Sequence, residues 1–169
     1  GLVGGPAFSD PIPDFVGPEM FGNNTYYRSN GFAQFGAANA MAQSLGGELV
    51  TINDAAENAW IRSTFTGSLL LGYNDFASEG NFEWASGEAP GYENWASGEP
   101  NNFNGNEDVT TMLNNGEWND NNSGNSFQYV VEFAGSPEAV QTAGLPSGSE
   151  FPVGTTKNTF VFTDIYGNT

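Results

Sequence analysis

The 169-residue chain contains no cysteine and no histidine, and only 3 of its residues are lysine or arginine. Without cysteine it can form neither a disulfide nor a thiolate metal site, and without histidine it lacks the commonest general base and transition-metal ligand. Its 20 acidic residues give a formal net charge of −17, which repels nucleic-acid phosphates and anionic lipid. No apolar run approaches the roughly 20 residues of a membrane-spanning helix. We therefore expect no nucleic-acid partner and no membrane insertion.

The apolar content is nevertheless high enough for one ordinary domain with a hydrophobic core. Hydrophobic residues make up 38% of the chain and aromatic residues 14%, so the chain is not disordered by composition. An Ala-rich stretch that ends at Gly46-Gly47, and a stretch that follows the capping pair Asn53-Asp54, predict helices over residues 36–45 and 55–65. Apolar or alternating runs predict strands over residues 24–28, 48–52, 68–73, 107–113, 127–133 and 159–165.

Residues 98–120 concentrate acids, amides and glycines, and they contain no lysine, arginine or histidine. Their side chains offer many oxygen ligands and no soft ones. Calcium takes six to eight such oxygens, from carboxylates and from amide and backbone carbonyls, at about 2.3–2.6 Å. We interpret this segment as a calcium-binding loop together with the strand and turn that complete the site. An acidic, Asn/Gly-rich loop alone is more often plain solvated surface, so the interpretation depends on the motifs around it.

A series of short motifs runs in one order through residues 20–133. They are Gly46-Gly47-Glu48-Leu49, Glu57-Asn58, Leu71-Gly72, Phe82-Glu83-Trp84, Asn94-Trp95, Glu99-Pro100-Asn101, Glu107-Asp108 and Trp118-Asn119-Asp120. Each motif is weak alone, but all of them in order and at family spacing resemble the C-type lectin-like domain. The resemblance implies an α+β fold in which two helices flank antiparallel sheets and a long loop region binds calcium. Trp84, Trp95 and Trp118, the tryptophans of these motifs, are expected in the core.

The resemblance and the composition together divide the chain into three parts. Residues 1–19, rich in proline and glycine, are expected to form an N-terminal arm or linker. Residues 20–134 correspond to the C-type lectin-like domain, and residues 135–169 to a β-rich C-terminal extension.

The family's sugar-binding calcium is held by the acid and amide of E-P-N, a later Glu, and the Asn and Asp of W-N-D. The resemblance therefore implies calcium and sugar ligands at five positions: Glu99, Asn101, Glu107, Asn119 and Asp120. It also implies a cis peptide bond before Pro100. The E-P-N order resembles the mannose-type subclass, which takes vicinal hydroxyls of mannose, glucose or fucose. Neighbouring side chains that could also select the sugar are Asn102, Phe103, Asn114 and Asn115.

The family also has an auxiliary calcium site upstream of the loop. Carried over, its ligands are Asp75, Glu79, Asn102, Glu107 and Asp108. Because the family's fifth acid falls on an asparagine here, we expect this site to be the weaker of the two.

The missing cysteines are the main departure from the family pattern. One of the family's disulfides would join the positions of Ala42 and Val131, and the other those of Val109 and a residue near Ser123. Each lost bridge forgoes roughly 2–4 kcal/mol of restriction of the unfolded chain, which core packing and calcium must supply instead. Disulfide-free versions resemble bacterial or phage members of the fold.

The tail, residues 141–169, resembles the later part of a hyalin repeat, an immunoglobulin-like module of long bacterial surface proteins. It is too short for a whole β-sandwich. It is a truncated module, a strand added to the lectin-like domain, or a disordered remnant.

These observations predict a calcium-dependent carbohydrate-binding module of a secreted or cell-surface bacterial adhesin, within a larger multidomain surface protein. An extracellular setting is favoured because free calcium is scarce in the cytosol. A calcium-stabilised module that binds a protein receptor or ice is the alternative on the same fold. We expect no enzyme: Glu99 and Glu107 could pair as glycosidase carboxylates, but acids bound to calcium are poor proton donors.

Overall fold

The computed structural model describes residues 12–135 and two further strands, over residues 138–143 and 159–163. The helices are α1 (Phe35–Ser44) and α2 (Ala55–Thr64), with a short 3-10 turn at Phe103–Gly105. The strands are β1 (Phe15–Phe21), β2 (Asn24–Ser29), β3 (Glu48–Leu49), β4 (Leu69–Asn74), β5 (Glu83–Trp84), β6 (Val109–Met112), β7 (Trp118–Asn121), β8 (Gln128–Phe133), β9 (Glu138–Ala143) and β10 (Thr159–Thr163). The α+β fold class is thereby confirmed.

Helix α2 begins, and helix α1 ends, at the signals expected from the sequence. The Asp54 side chain accepts the backbone N–H of Glu57 at 2.8 Å, which caps the start of α2. Helix α1 stops at Gly46, whose φ of 82° is the left-handed conformation that glycine adopts without strain. The N–H of Gly47 then returns to the carbonyl of Ala42 at 3.0 Å.

One eight-stranded sheet carries the domain, with the order β1-β2-β8-β4-β6-β7; β3 also pairs with β8, and β5 with β4. The pairs are antiparallel except for β4 and β8, which run parallel with Leu69 opposite Gln128. The expected antiparallel pairing thus holds for all of these pairs except the one at the centre of the sheet. All six residues of β4 are buried, as in strands covered on both faces. Its apolar run indicated burial but not the direction of its neighbour.

Strand β1 includes residues 15–19, which the sequence analysis assigned to the N-terminal arm. It pairs with β2, and its register shifts between Val16 and Glu19. Pro18 lies in this irregular part of an edge strand, where a missing N–H removes no regular ladder hydrogen bond. Residues 15–19 thus belong to the sheet, and Ile12 before them is buried in the core. Residues 1–11 of the expected arm lie outside the described residues.

Two core clusters fill the domain. One includes the positions of the absent first disulfide, so that Ala42 and Val131 contribute to a common apolar core. The other combines aliphatic and aromatic residues around Trp118, which makes edge-to-face contacts with Trp84 and Trp95. Trp84 and Trp118 are buried and Trp95 packs against them, which confirms the expectation that the tryptophans are core residues.

Strands β9 and β10 pair antiparallel with each other in a separate two-stranded sheet. Strand β10 confirms most of the strand predicted at 159–165. In the described residues neither strand joins the large sheet, so they give no support to the added-strand interpretation. The remainder of the stretch that resembles a hyalin repeat lies outside the described residues. Neither helix in the described part of the chain is long and apolar enough to cross a membrane.

Candidate functional site

The loop between β5 and β6 is fastened to β7 at its middle. The N–H of Trp118 donates to the carbonyl of Asn94 at 2.7 Å, and the N–H of Ala96 donates to the carbonyl of Trp118 at 2.8 Å. The indole rings of Trp95 and Trp118 lie 5.9 Å apart. The segment 99–107 therefore starts from a fixed point beside the strand that carries Asn119 and Asp120.

Asp120 organises this segment. It is buried on β7, opposite Thr110 of β6. Its carboxylate accepts the backbone N–H of Asn101, at 3.1 Å from each oxygen, and that of Asn102 at 2.7 Å. These charge-assisted hydrogen bonds draw the chain after Pro100 onto β7. The peptide bond between Glu99 and Pro100 is cis, as the family resemblance implies.

A second set of hydrogen bonds closes the loop around Glu107. Its Oε2 accepts the N–H of Phe103 at 2.7 Å, and its own N–H donates to Oδ1 of Asn102 at 3.0 Å. Asn102 adopts the left-handed conformation with φ 44°, which asparagine tolerates better than most residues. The structure thus uses Asn102 to shape the loop, and its side-chain oxygen is already engaged.

The carboxyl groups of Glu99 and Asp120 lie close enough to interact directly. Partial burial is the first cause that raises the pKa of the Glu99 carboxyl, followed by hydrogen bonding to Asp120 and the charges of Asp120 and Glu107. A hydrogen bond with Asn101 acts in the opposite direction. The Oε2 atom of Glu99 is buried and has no hydrogen-bond partner. A cation at this position would relieve both the repulsion and the unsatisfied oxygen.

Asn119 completes the predicted set. Its side-chain Nδ2 donates to the backbone carbonyl of Asp120. The backbone carbonyl of Asn119 accepts from the Oγ1 hydroxyl of Thr111 at 3.3 Å. A half-turn of the amide about its terminal torsion brings Oδ1 beside the carbonyl of Asp120, which is an arrangement of two oxygens that suits a cation.

Three of the five predicted calcium ligands are acids, namely Glu99, Glu107 and Asp120. In the described part of the chain, no three acidic side chains converge closely enough to hold a metal ion by themselves. A calcium ion bound between Glu99 and Asp120 would therefore need further oxygen ligands, which the side-chain amides of Asn101 and Asn119 could supply. Such a mixed set of carboxylate and amide oxygens fits calcium.

The auxiliary set is only partly assembled. Asp75 is 3% exposed, its Oδ2 accepts the N–H of Gly80 at 2.8 Å, and its buried Oδ1 has no partner. Its backbone N–H donates to the carbonyl of Asp108 at 3.1 Å, so these two predicted ligands are neighbours. Glu79, by contrast, is exposed in the turn that follows Asp75.

Two buried glutamates lie outside both predicted ligand sets: Glu57, which the sequence shows only as part of a family motif, and Glu132, which no motif includes. Glu57 of α2 is buried, and its Oε1 accepts a hydrogen bond from the Tyr26 hydroxyl at 2.6 Å. Glu132 of β8 is in contact with the same Tyr26 hydroxyl, at 3.3 Å from its Oε1. An acid inside the otherwise apolar run of β8 was the signal that could have revealed it.

The eight-stranded sheet with two helices, and the loop of oxygen-rich side chains closed over β7, define a carbohydrate-recognition fold of the C-type lectin class. A family model described as the Lectin C-type domain matches residues 33–133. The chain therefore belongs to the C-type lectin family. Members of this family usually bind Ca2+, are typically extracellular and are generally not enzymes.

Several solved structures are similar to the domain over nearly their whole length. The carbohydrate-recognition domain of the mouse Scavenger Receptor C-type Lectin is 26% identical, with a TM-score of 0.67, and the match covers 75% of this chain and 100% of that one. The C-type carbohydrate-recognition domain of cow CD23, solved in the presence of a GlcNAc2Man3 oligosaccharide, is 25% identical, with a TM-score of 0.68 and coverage of 76% and 98%. A calcium-independent type II antifreeze protein shares the fold at 19% identity, with a TM-score of 0.67 and coverage of 75% and 95%.

Proposed function

We propose that this domain is a calcium-dependent carbohydrate-binding module that takes vicinal hydroxyls of mannose, fucose or glucose type. The calcium would be held by Glu99, Asn101, Glu107, Asn119 and Asp120. The observation that carries the proposal is the buried, unpartnered Oε2 of Glu99 beside the carboxylate of Asp120. Two facing carboxylates with a spare oxygen are costly without a cation, and they are well suited to one.

When bound, the calcium would accept two sugar hydroxyl oxygens as ligands. The chain's own side chains would then read the same hydroxyls. Carboxylates such as Glu99 accept a hydroxyl proton, and the amide N–H of Asn101 donates to the hydroxyl oxygen. This pairing of one acceptor and one donor, in the order Glu99 then Asn101, favours the mannose-type subclass that the sequence resembles.

The wider setting follows from the same proposal. We place the domain in a secreted or cell-surface bacterial adhesin made of several modules, because its tail resembles hyalin repeats that form stalks. A shallow site of this kind binds a single sugar weakly, with a Kd on the order of millimolar. Several copies on one cell would supply avidity.

The test is calorimetric titration of calcium into protein stripped with EDTA, followed by mannose, fucose and galactose. Wild type should bind calcium with a rise in melting temperature, and should bind mannose or fucose only when calcium is present. The variant Glu99→Gln should lose calcium-dependent sugar binding while keeping its fold. Glu83→Gln, an exposed acid on β5, is the matched control and should behave as wild type. A calcium-free protein that binds sugar equally well would overturn the proposal.

A second candidate on the same fold is a module that binds a protein receptor or ice. The likeness to an antifreeze protein, which concerns the fold alone, keeps this candidate open. It predicts calcium binding without any sugar binding, or activity against ice growth that Glu99→Gln leaves unchanged.

A further inference from the structure

A buried acidic cluster lies beneath α2 and outside the predicted calcium loop. Glu57 of α2 and Glu132 of β8 both lie within reach of the hydroxyl of Tyr26 on β2. The Tyr26 oxygen is 2.6 Å from Oε1 of Glu57 and 3.3 Å from Oε1 of Glu132. All three side chains are buried, and Glu132 is only 9% exposed. The cluster therefore joins a helix to two adjacent strands of the sheet.

When both acids are charged, the cluster has only one proton for its two oxygen–oxygen contacts. The Tyr26 hydroxyl has a single proton and donates it over the shorter distance to Glu57. The contact between Tyr26 and Glu132 then joins two oxygens with no proton between them. One added proton on the acid pair completes a donor–acceptor chain from Glu132 through Tyr26 to Glu57.

The remaining hydrogen bonds fix the two carboxyl groups in place. Glu132 accepts from Nδ2 of Asn24 at 2.6 Å and from the N–H of Thr51 at 3.0 Å. Glu57 accepts the N–H of Asn53 at 2.9 Å through its second oxygen. These partners are neutral, so they position the carboxyl groups without cancelling their charge.

Within the part of the chain that the structure describes, the charged groups found around the cluster are acidic. A small cavity of about 70 Å³ is lined by Asn24, Glu48, Thr51, Ser86, Glu88 and Glu132. Glu48 of β3 lies opposite Glu132 in the sheet, and its Oε2 is buried without a partner. The negative charges of Asp54, at the start of α2, and of Glu88 also raise the pKa of Glu57.

We propose that Glu57 and Glu132 together hold one proton in the folded protein, and that this shared proton fastens α2 to the sheet. The lectin domain then becomes more stable as the pH falls from mildly basic to mildly acidic values. This protonated pair lies between α2 and the sheet, away from the calcium loop. Its effect on stability needs neither calcium nor sugar, so it does not depend on the function proposed for the loop.

The electrostatics agree with this geometry. Burial, followed by the charges of Glu57 and Glu88, raises the pKa of Glu132 to about 7, although the hydrogen bonds of Thr51 and Asn24 act against it. The pKa of Glu57 is raised as well, again first by burial. An unfolded glutamate has a pKa near 4.3. Between these values the folded state binds more protons than the unfolded state, so stability falls as pH rises to about 7 and then levels off.

The test is the melting temperature of EDTA-treated protein between about pH 5 and pH 8. Wild type should lose about 3–10 °C over this range. Glu132→Gln keeps the shape of the side chain but cannot titrate, so its melting temperature should change much less with pH. The exposed control Glu83→Gln should keep the wild-type slope. An unchanged slope in Glu132→Gln would overturn the proposal.

A direct measurement covers the case in which Glu132→Gln does not fold. Carboxyl carbon chemical shifts of wild type, followed by NMR across the same pH range, should show a buried glutamate titrating near pH 7. In Glu57→Gln that midpoint should move, because its partner no longer carries charge. If every glutamate resonance of wild type titrates near the unfolded value, the pair holds no shared proton and the proposal is wrong.

Discussion

Asn58 of α2 and Trp118 of β7 are joined by a buried hydrogen bond. The indole N–H of Trp118 donates to Oδ1 of Asn58 at 2.8 Å, and Nδ2 of Asn58 donates to the carbonyl of Gly116 at 3.0 Å. One amide thus holds both the turn before β7 and the central tryptophan of the aromatic core. Because Asn119 and Asp120 directly follow that tryptophan, α2 helps to position the candidate calcium site.

Replacing Asn58 by alanine should therefore destabilise the domain and weaken calcium binding. The indole N–H of Trp118 loses its partner inside the core, which costs about 1–3 kcal/mol. The carbonyl of Gly116 still accepts from Nδ2 of Asn94 at 2.8 Å, so the loss should not be larger. Urea denaturation measures the free energy of unfolding. Asn115 is exposed and lies in the same turn, so Asn115→Ala is the control. Equal losses of unfolding free energy in the two variants would contradict this account.

Close packing at Gly47 gives a second prediction. A Cβ atom there would lie 2.7 Å from the carbonyl oxygen of Glu132 and 2.9 Å from Cγ1 of Val131. Gly47→Ala should cost about 1–3 kcal/mol, since backbone must move to make room. Gly36→Ala, within α1 and with open space around it, should instead stabilise the domain by about 0.5–1 kcal/mol. Thermal melts of both variants measure the difference, and two changes of the same sign would refute it.

The local signals were readable in the sequence, but the pairing of distant elements was not. The cap at Asp54 and the stop at Gly46 depend on residues within one helical turn, so short patterns located both helices closely. The parallel pairing of β4 with β8 joins segments about sixty residues apart, and nothing in either run specifies direction. Strand β1 was not predicted because Gly17 and Pro18 are typical of a linker in sequence. In the structure they lie where the pairing of β1 with β2 is irregular.

The candidate site divides in the same way. Spaced motifs identified the E-P-N and W-N-D residues, and the structure brings Asn101 and Asp120 together. The motifs could not reveal that Asn102 already donates and accepts within the loop, or that Glu79 is exposed. Those outcomes depend on backbone conformation, which a family pattern does not carry residue by residue. The assignment of calcium ligands therefore stays a prediction.

Asp75 offers a test of the auxiliary calcium site. Its buried Oδ1 lacks a hydrogen-bond partner, whereas Oδ2 is held by Gly80. Asp75→Asn should remove one calcium equivalent in a calorimetric titration, because a neutral amide attracts the ion less. Sugar binding through the loop should persist at saturating calcium. The exposed acid Glu79, changed to glutamine, should have a smaller effect; the reverse order would mean that Glu79 is the stronger ligand.

Phe103 gives the last prediction, which rests on the proposed sugar site. Its side chain is 66% exposed, and it lies between Asn101 and Glu107 in the loop. An exposed aromatic ring beside a polar site can pack against the apolar face of a sugar ring. The contact of Phe103 with Glu107 uses its backbone N–H, so Phe103→Ala leaves that hydrogen bond intact.

We therefore expect Phe103→Ala to weaken sugar binding by about 3–10-fold, or about 1 kcal/mol, with calcium affinity unchanged. Titration calorimetry of calcium, and then of mannose or fucose, separates the two steps. Phe32 is similarly exposed, at 70%, and it lines a groove near Tyr129 rather than the loop, so Phe32→Ala is the matched control. If both variants bind sugar like wild type, the ring of Phe103 takes no part in recognition. If calcium affinity falls as well, Phe103 instead supports the shape of the loop.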